Sequence, residues 1–426
     1  MFIPRYAFTV CFLLSKLGIA DGAPIPGPAG LFVIGDTHAV AGEVAKFDLD
    51  FVSGYTLRIP WKDIESWNPD TGAPAYDFSR IDSTLEDLRL RGKRMTLEIF
   101  VTQAPDYILA DPGTGTWFNP NPQQGGTQVL PWDANSLAAY HAMIQSLANH
   151  QVAGTTWKVA EHPALESVDA PIVGLQGLRE LSNTLINLPG YQREAFIQSV
   201  VDAVTFSRGA FPRKFGFLAL FAMNDNNGGV RMDEAVYARL MSAFNQPNTP
   251  SLGFFQETLS DTGPRADTLG ALLKTASAST YVMFQALRPW VLRSGETRPP
   301  EIASGTPVTG LNHAWTDYGS TYVEIYGADI LATTNAEPLR KWQHFFHTVE
   351  AFRSGGEGLN ISQTSAGSSL TWSADPILNY RLWSSQNLTS WQLETPAEPL
   401  DGGILLPNVQ NSAGKYYRIE VRSPSL

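Results

Sequence analysis

Cysteine is almost absent from this sequence, because its 426 residues include a single one, Cys11. One thiol excludes disulfide frameworks, cysteine-rich zinc sites and iron–sulfur clusters. Charge is also scarce, since Lys, Arg, Asp and Glu make up 17 % of the residues while apolar residues make up 43 %. This balance predicts a globular chain with a large core rather than a disordered one.

Positive charge is the scarcer of the two signs. The chain has 30 Lys and Arg against 41 Asp and Glu, a formal net charge of −11. A partner with a phosphate backbone or an anionic membrane surface would require clustered basic residues. We therefore expect no nucleic-acid partner, and the composition favours neutral or cationic ligands.

Long apolar runs are absent after the first twenty residues. Residues 1–20 combine Arg5, an apolar stretch from Tyr6 to Leu14 and small residues up to Ala20, which is the arrangement of a secretory signal peptide. The stretch is shorter than the ~20 residues of a membrane span, so a retained anchor is the less favoured alternative. We expect a mature protein without an integral membrane segment that is secreted, periplasmic or at the cell surface.

Motifs for nucleotide binding and acyl transfer are also missing. No GxGxxG turn follows the first expected strand, no GxSxG elbow surrounds a serine, and Gly92-Lys93 lacks the upstream glycine of a phosphate-binding loop. The run from Asn224 to Gly229 lacks the glutamate of an EF-hand. We expect no cofactor and no structural metal.

The chain does contain a regular alternation of short β-branched or aromatic runs with segments of helical period. Eight such runs, each followed by a crossover segment, predict an α/β fold, a (β/α)8 TIM barrel over residues 24–355. A doubly wound open sheet is the alternative, disfavoured by the missing glycine-rich turn. The expected strands are Leu31–Gly35, Tyr55–Pro60, Arg94–Val101, Ile172–Leu178, Phe215–Ala222, Leu252–Gln256, Thr280–Gln285 and Thr321–Tyr326. The expected helices include Ile81–Leu90, Leu137–Ala148, Tyr191–Ser207, Met232–Phe244, Ala266–Ala276 and Leu339–Phe352.

The composition changes near Gly355. From residue 359 to residue 426 the helical period disappears, and short runs such as NYRLWSS and KYYRIEV recur between turn residues. This pattern predicts a small all-β, sandwich-like module. Alternating aromatic residues in such a module indicate its core more often than a binding face.

The segment Gly54–Phe78 carries the most specific pattern. Arg58 and Trp61 end the second expected strand, and Ile64-Glu65, Gly72 and Tyr76-Asp77-Phe78 follow. The segment resembles the second-strand region of retaining glycoside hydrolases of the beta-galactosidase type and their barrel relatives. The runs MTLEIFVTQAPDYI and TYVEIYGADI are similar to the third and eighth strands of that superfamily, and the terminal module looks like small β modules of exported bacterial proteins. The resemblance implies an exported glycoside hydrolase that cleaves a neutral oligo- or polysaccharide.

Hydrolysis of a glycosidic bond requires one carboxyl group that donates a proton and a second that attacks the sugar or activates water. In the resembled family, the first follows strand four and the second ends strand seven. Glu180 follows the expected fourth strand, but Arg179 precedes it in place of the family's Asn and favours its ionised form. Glu180 is therefore either a catalytic residue or a member of an ion pair at the rim.

The seventh expected strand ends in Gln285, which cannot attack an anomeric carbon. The nearest alternative is Glu257, at the end of a buried apolar strand. A carboxyl group held against Phe254 and Phe255 could have the raised pKa that a general acid needs, although a cap of the following turn is the structural alternative. Glu180 and Glu257 are the predicted catalytic pair.

Two further glutamates are expected inside the barrel. Strand alternation directs Glu324 toward the axis, where Arg58 or Arg288 could pair with it. Glu324 is thus a third candidate or part of an ion-paired floor, and Glu98 is expected inward by the same parity in a structural role.

The remaining candidates would bind substrate. Asp36 and His38 follow the first strand and could hydrogen-bond sugar hydroxyls, or less plausibly hold a metal, and loop tryptophans could stack on sugar rings. The predicted substrate-binding residues are Asp36, His38, Arg58, Trp61, Gln285, Trp290, Glu324 and Tyr326. A non-catalytic carbohydrate-binding or surface protein on a degenerate hydrolase barrel is the alternative function, motivated by Arg179 and Gln285. Retaining or inverting stereochemistry, exo or endo action and oligomeric state stay open.

Overall fold

The structure is a computed structural model that describes most of the chain after residue 26. The described residues are 27–34, 44–120, 125–170, 186–188, 190–223, 225, 229–246, 249–264, 268–292 and 294–353. Toward the C-terminus they are 360–364, 367–371, 378–385, 390–395, 403–407, 416–422 and 424.

Eight parallel strands close into a barrel, each strand paired with the next in the chain and the eighth paired with the first. The predicted TIM barrel is therefore confirmed. The strands are β1 (Gly30–Ile34), β2 (Gly54–Pro60), β3 (Arg94–Phe100), β4 (Leu165–Asp169), β5 (Phe215–Ala219), β6 (Leu252–Leu259), β7 (Val282–Ala286) and β8 (Tyr322–Tyr326).

The fourth strand differs from the expectation. The predicted segment Ile172–Leu178 lies outside the described residues, and Leu165–Asp169 holds the fourth position of the closed barrel instead. The physical reason is that Ser167 is buried in the barrel and hydrogen-bonded to Thr96, so that polar residues interrupt the apolar run that normally marks a buried parallel strand. Glu180 therefore does not directly follow the fourth strand.

Helices connect most of the strands and cover the barrel. Each of the six predicted helical segments coincides with a helix, and Val308–Tyr318 is a further helix that was not predicted. The helix Ala134–Asn149 begins where the Asp133 carboxylate accepts the Ser136 N–H at 2.8 Å. The helices are α1 (Val44–Phe47), α2 (Ser79–Leu90), α3 (Asp106–Ala110), α4 (Ala134–Asn149), α5 (Arg193–Ala210), α6 (Met232–Phe244), α7 (Thr268–Ala276), α8 (Val308–Tyr318), α9 (Gly327–Leu331) and α10 (Thr333–Arg353). Short 3-10 turns span Trp61–Asp63, Val101–Gln103, Val159–Glu161 and Pro300–Ile302.

Side-chain alternation divides the core into two parts. Outward-facing residues such as Leu57, Leu97 and Val323 are fully buried in a large cluster between strands and helices. Inward-facing residues fill the barrel itself, and its apolar part consists of Phe32, Phe215, Phe217, Ala219, Phe255, Met283 and Tyr322. Polar side chains occupy the remaining inward positions, nearer the carboxyl ends of the strands.

Two β-hairpins extend from the carboxyl end of the barrel. The first hairpin pairs Glu65–Asn68 with Ala73–Tyr76 after β2, and the second pairs Thr116–Asn119 with Gly126–Val129 after β3. Helix α3 packs against both hairpins. A further short pair, Asn245–Gln246 with Thr249–Pro250, precedes β6.

The C-terminal region consists of strands, as the loss of helical period predicts. Its described residues form two three-stranded antiparallel sheets. One sheet contains β9 (Asn360–Thr364), β10 (Gly367–Thr371) and β13 (Gly403–Pro407), and the other contains β11 (Asn379–Ser385), β12 (Gln392–Thr395) and β14 (Tyr416–Arg422). Within the part of the chain that the structure describes, no helix has the length and apolarity of a membrane span.

Gly54 on β2 provides a test of this architecture, because a side chain at this position would collide with the neighbouring strand. A Cβ on Gly54 would lie 2.2 Å from the Arg94 carbonyl oxygen and 2.5 Å from the Phe32 ring. We expect Gly54→Ala to lower the free energy of unfolding by at least ~2 kcal/mol in urea titrations, because β2 and β3 must separate. In the control Gly209→Ala, nothing lies within 4 Å of the new methyl group on α5, and stability should rise by ~0.5–1 kcal/mol. Equal stability of the two variants would contradict the tight β2–β3 contact.

Candidate active site

Arg58 lies at the centre of the polar part of the barrel. Its position on β2 pairs in register with Glu98 on β3, and both side chains face inward. The Arg58 Nε atom donates a hydrogen bond to Glu98 Oε2 at 2.6 Å, and an Nη atom donates to Gln285 Oε1. One side chain thus joins β2, β3 and β7 inside the barrel.

Two more carboxylates approach the same guanidinium. The Arg58 Nη2 atom is 3.6 Å from Glu257 Oε1 and 3.7 Å from Glu324 Oε2. Burial opposes the charge of Arg58, but Glu98, Glu324 and Glu257 outweigh that effect and raise the pKa of Arg58. The arrangement confirms the expectation that Glu324 and Glu98 face the axis, and Arg58 is the partner of both.

Glu324 is the group in this cluster that retains a proton. It is fully buried, and burial together with the negative charge of Glu98 raises the pKa of Glu324 to about 8. Hydrogen bonds from Thr56 Oγ1 and Tyr322 OH, both 2.7 Å, and the charge of Arg58 oppose the shift without cancelling it. Glu324 is therefore neutral near pH 7, which reduces the negative charge around Arg58.

A layer of hydroxyl groups supports the charged cluster from below. The Tyr322 OH lies 2.8 Å from Thr96 Oγ1, which lies 2.9 Å from Ser167 Oγ. These groups belong to β8, β3 and β4, so the layer crosses the barrel between the apolar floor and the carboxylates. Burial raises the pKa of Tyr322 well above its ordinary value, and the phenol keeps its proton.

A cavity of about 270 Å³ opens at the carboxyl ends of the strands, where TIM-barrel enzymes have their active sites. Its polar lining consists of Arg58, Gln256, Glu257, Thr258, Gln285 and Tyr326. The β6–β7 register shifts between Gln256 and Leu259. Such an irregularity re-aims side chains, and here both Gln256 and Glu257 reach the cavity wall.

The structure brings five of the predicted site residues together. Arg58, Glu257, Gln285 and Tyr326 line the cavity, and Glu324 lies beneath them against Arg58. The Gln285 Nε2 atom donates to the Tyr326 hydroxyl at 3.4 Å. Arg58, Gln285 and Tyr326 are therefore connected by side-chain hydrogen bonds along one wall.

Trp61 and Trp290 are not placed to stack on a ligand, contrary to the expectation. Trp61 is 0 % exposed, packs edge-on against Tyr140 and donates its indole N–H to Glu65 Oε2 at 2.6 Å. Trp290 is 1 % exposed and donates to Asp261 Oδ1 at 2.8 Å. The reason in both cases is a carboxylate acceptor, Glu65 or Asp261, that holds the indole inside the loop structure.

Three predicted site residues, Glu180, Asp36 and His38, lie outside the described residues. The described residue that ends β4 is Asp169, which is 2 % exposed and whose charge helps raise the pKa of the buried Tyr140, after the larger effect of burial. Asp169 is not among the predicted site residues, although the alternation in LESVD is a signal for it. Among the described residues, no group of three or more His, Cys, Asp or Glu side chains is arranged to hold a metal ion.

Comparisons with known proteins relate this barrel to glycoside hydrolases in fold. No family model and no curated protein sequence matches the chain. The endo-1,4-beta-mannanase from Rhizomucor miehei superposes with a TM-score of 0.51 at 8 % identity, covering 77 % of this chain and 97 % of that enzyme. The beta-galactosidase from the psychrophilic Marinomonas ef1 gives 0.46 at 10 % identity, covering 76 % and 60 %. An intracellular xylanase from Thermoanaerobacterium saccharolyticum gives 0.41 at 12 %, covering 72 % and 90 %. The chain has a glycoside hydrolase-like barrel fold.

The raised pKa of Glu324 predicts a specific pH dependence of stability. Between its ordinary value of 4.5 and about 8, the folded protein holds a proton that the unfolded chain has lost. The stability that this proton contributes is complete below pH 4.5 and lost as the pH rises through 8. Glu324→Gln cannot ionise, so its free energy of unfolding should increase relative to wild type from pH 5 to pH 9, by on the order of 3 kcal/mol.

Urea titrations at several pH values measure this difference. The control Glu337→Gln removes an exposed glutamate whose pKa is lowered by Lys341, so no such increase is expected. Parallel pH profiles for Glu324→Gln and wild type would contradict the protonated state of Glu324.

Proposed function

We propose that this chain is a glycoside hydrolase that cleaves O-glycosidic bonds of a neutral oligo- or polysaccharide at the carboxyl end of its barrel. The observation that carries the proposal is a carboxylate, Glu257, on the wall of a cavity at the catalytic end of a glycoside hydrolase-like barrel. Bond cleavage by this class requires a carboxylate in such a position.

Arg58 determines which role Glu257 can take. A guanidinium 3.6 Å from Glu257 stabilises the charged form of the carboxylate. The Glu257 carboxyl group, expected against Phe254 and Phe255, lies beside a cation instead. Glu257 is therefore assigned as the nucleophile or the base that activates water, and not as the general acid.

Glu180 is the proposed second carboxyl group of the pair. With Glu257 as nucleophile or base, Glu180 would have to donate the proton, although Arg179 beside it in the sequence favours its ionised form. The separation of the Glu180 and Glu257 carboxyl groups decides the stereochemistry: ~5 Å gives a covalent intermediate and retention, whereas ~6.5–9.5 Å leaves room for an inverting water.

The charge of the cavity favours a neutral substrate. The positive charge of Arg58 is matched by Glu98, with which it forms a 2.6 Å ion pair, and by Glu257. The cluster therefore has no excess positive charge with which to bind an acidic sugar. The amides of Gln256 and Gln285 and the phenol of Tyr326 supply the donors and acceptors that orient sugar hydroxyls.

A carbohydrate-binding protein without catalysis is the second candidate. Gln285 favours this second candidate, because its side-chain amide lies near the end of β7 and accepts a hydrogen bond from Arg58. The resembled family has its nucleophile at the end of this strand. Such a barrel would retain the cavity and its hydrogen-bonding groups while lacking the reacting carboxylate.

Amide substitutions separate the two functions. We expect Glu257→Gln and Glu180→Gln each to lower kcat on a hydrolysed polysaccharide by about 10²- to 10⁴-fold while leaving the folded state intact. Glu337→Gln, on the exposed face of α10, is the control and should keep wild-type kcat. Unchanged turnover in Glu257→Gln would remove Glu257 from the mechanism, and polysaccharide binding without any hydrolysis by wild type would establish the second candidate.

We also propose that residues 1–20 direct export and are then removed. The proposal is supported by Arg5, the apolar stretch up to Leu14 and the small residues before Ala20. Expression of the full chain in a bacterium should give an exported protein whose N-terminal sequence begins close to Asp21. Leu13→Lys, which breaks the apolar stretch, should keep the full-length chain in the cytoplasm. An exported protein that still begins at Met1 would contradict cleavage.

A further inference from the structure

The exposed apolar side chains are unevenly placed. Only two of the large apolar residues that are well exposed among the described residues are aromatic, Trp67 at 46 % and Phe118 at 68 %. Trp67 lies on the hairpin after β2, and Phe118 lies on the hairpin after β3. Both aromatic rings are therefore at the carboxyl end of the barrel, the end at which the cavity opens.

Trp67 has a neighbour that fixes its ring. The centroids of Trp67 and Tyr107 are 5.3 Å apart with an interplanar angle of 42°. The Tyr107 hydroxyl donates to Glu65 Oε1, and Glu65 Oε2 accepts the N–H of the buried Trp61 at 2.6 Å. A buried carboxyl group thus ties Tyr107, the ring neighbour of the half-exposed Trp67, to the loop core.

The pair lies on the segments that follow β2 and β3 at the carboxyl end of the barrel. Arg58 lines the cavity, and the chain passes from it through the 3-10 turn Trp61–Asp63 into the hairpin of Trp67. Helix α3, which carries Tyr107, packs against both hairpins. The ring pair is therefore at the same end of the barrel as the cavity and outside the cavity lining.

We infer that the Trp67–Tyr107 pair is an outer subsite that stacks on a sugar ring of a polysaccharide whose scissile bond lies in the cavity. The inference rests on the proposed function and deepens it, because an outer subsite implies a chain rather than a mono- or disaccharide as substrate. A sugar ring presents apolar C–H groups on its faces and hydroxyl groups at its edge. An indole face provides apolar contact for the first, and 46 % of Trp67 is exposed for such a contact.

A saccharide fits this surface better than a protein does. Protein interfaces bury contiguous areas of several hundred Å² per partner around a cluster of apolar residues. Here the residues beside Trp67 on its strand, Ser66 and Asn68, alternate to the other face of the hairpin, and its cross-strand neighbour is Pro74. One half-exposed indole beside Tyr107 matches a single sugar unit.

Affinity electrophoresis of the full chain measures this subsite directly. The probes are soluble galactomannan, xylan and hydroxyethyl cellulose, each cast into a native gel. For the polymer that retards wild type, we expect Trp67→Ala to weaken the apparent affinity by about two- to tenfold, the effect of losing one aromatic stacking contact. Trp67→Phe should recover most of the affinity, and the loss in Trp67→Ala should increase with the length of a matching oligosaccharide.

Trp157→Ala is the matched control. Trp157 is a partly buried tryptophan that Arg89 covers at 5.3 Å, in the turn before β4 at the opposite end of the barrel. Its replacement should leave the retardation unchanged. Equal retardation of Trp67→Ala and wild type would overturn the inference, as would an equal loss in Trp157→Ala or the failure of all three polymers to retard wild type.

The same gels separate this inference from the proposed hydrolysis. If wild type binds a polymer through Trp67 but releases no reducing ends from it, the hydrolase proposal fails and the outer subsite stands. If wild type hydrolyses the polymer and Trp67→Ala binds and hydrolyses it as wild type does, the outer subsite fails and the hydrolase proposal stands.

Discussion

The guanidinium of Arg58 is the interaction on which the interior of this barrel depends. It forms an ion pair with Glu98, lies within 4 Å of Glu257 and Glu324, and donates a hydrogen bond to Gln285. Residues of five of the eight strands therefore interact through this one side chain. Removing one partner of a buried charge network leaves the others uncompensated and is strongly destabilising. The five residues therefore constrain one another, and a substitution that keeps the shape and hydrogen-bonding groups of a side chain, such as Glu to Gln, is tolerated better than a truncation.

The inward direction of the side chains in this cluster could be predicted from the sequence. Because side chains alternate along a strand, the inward direction of Glu324 and Glu98 followed from their neighbours alone, and Arg58 was a predicted partner. The position of the fourth strand could not be predicted, because Ser167 is a polar residue buried inside the barrel, where its hydrogen bond to Thr96 replaces apolar contact. Local patterns report burial only when buried residues are apolar.

The loops were the least predictable part of the site. Trp61 and Trp290 lie near strand ends, as a stacking residue would. Each is buried, however, with its indole N–H hydrogen-bonded to a carboxylate of the protein, Glu65 or Asp261. Trp67 occupies the exposed position instead, although nothing in its immediate sequence distinguishes it from Trp61. Whether an aromatic ring faces solvent depends on its tertiary partners, which the sequence pattern does not contain.

The hydroxyl layer beneath the carboxylates has a directional property. Tyr322, Thr96 and Ser167 form a row from β8 to β4, and each hydroxyl can both donate and accept. Tyr322 donates its hydroxyl proton to Glu324 Oε1, which leaves its oxygen as the acceptor for Thr96 and makes Thr96 the acceptor for Ser167. One hydrogen bond to Glu324 therefore sets the direction of the hydroxyl dipoles from β8 to β4.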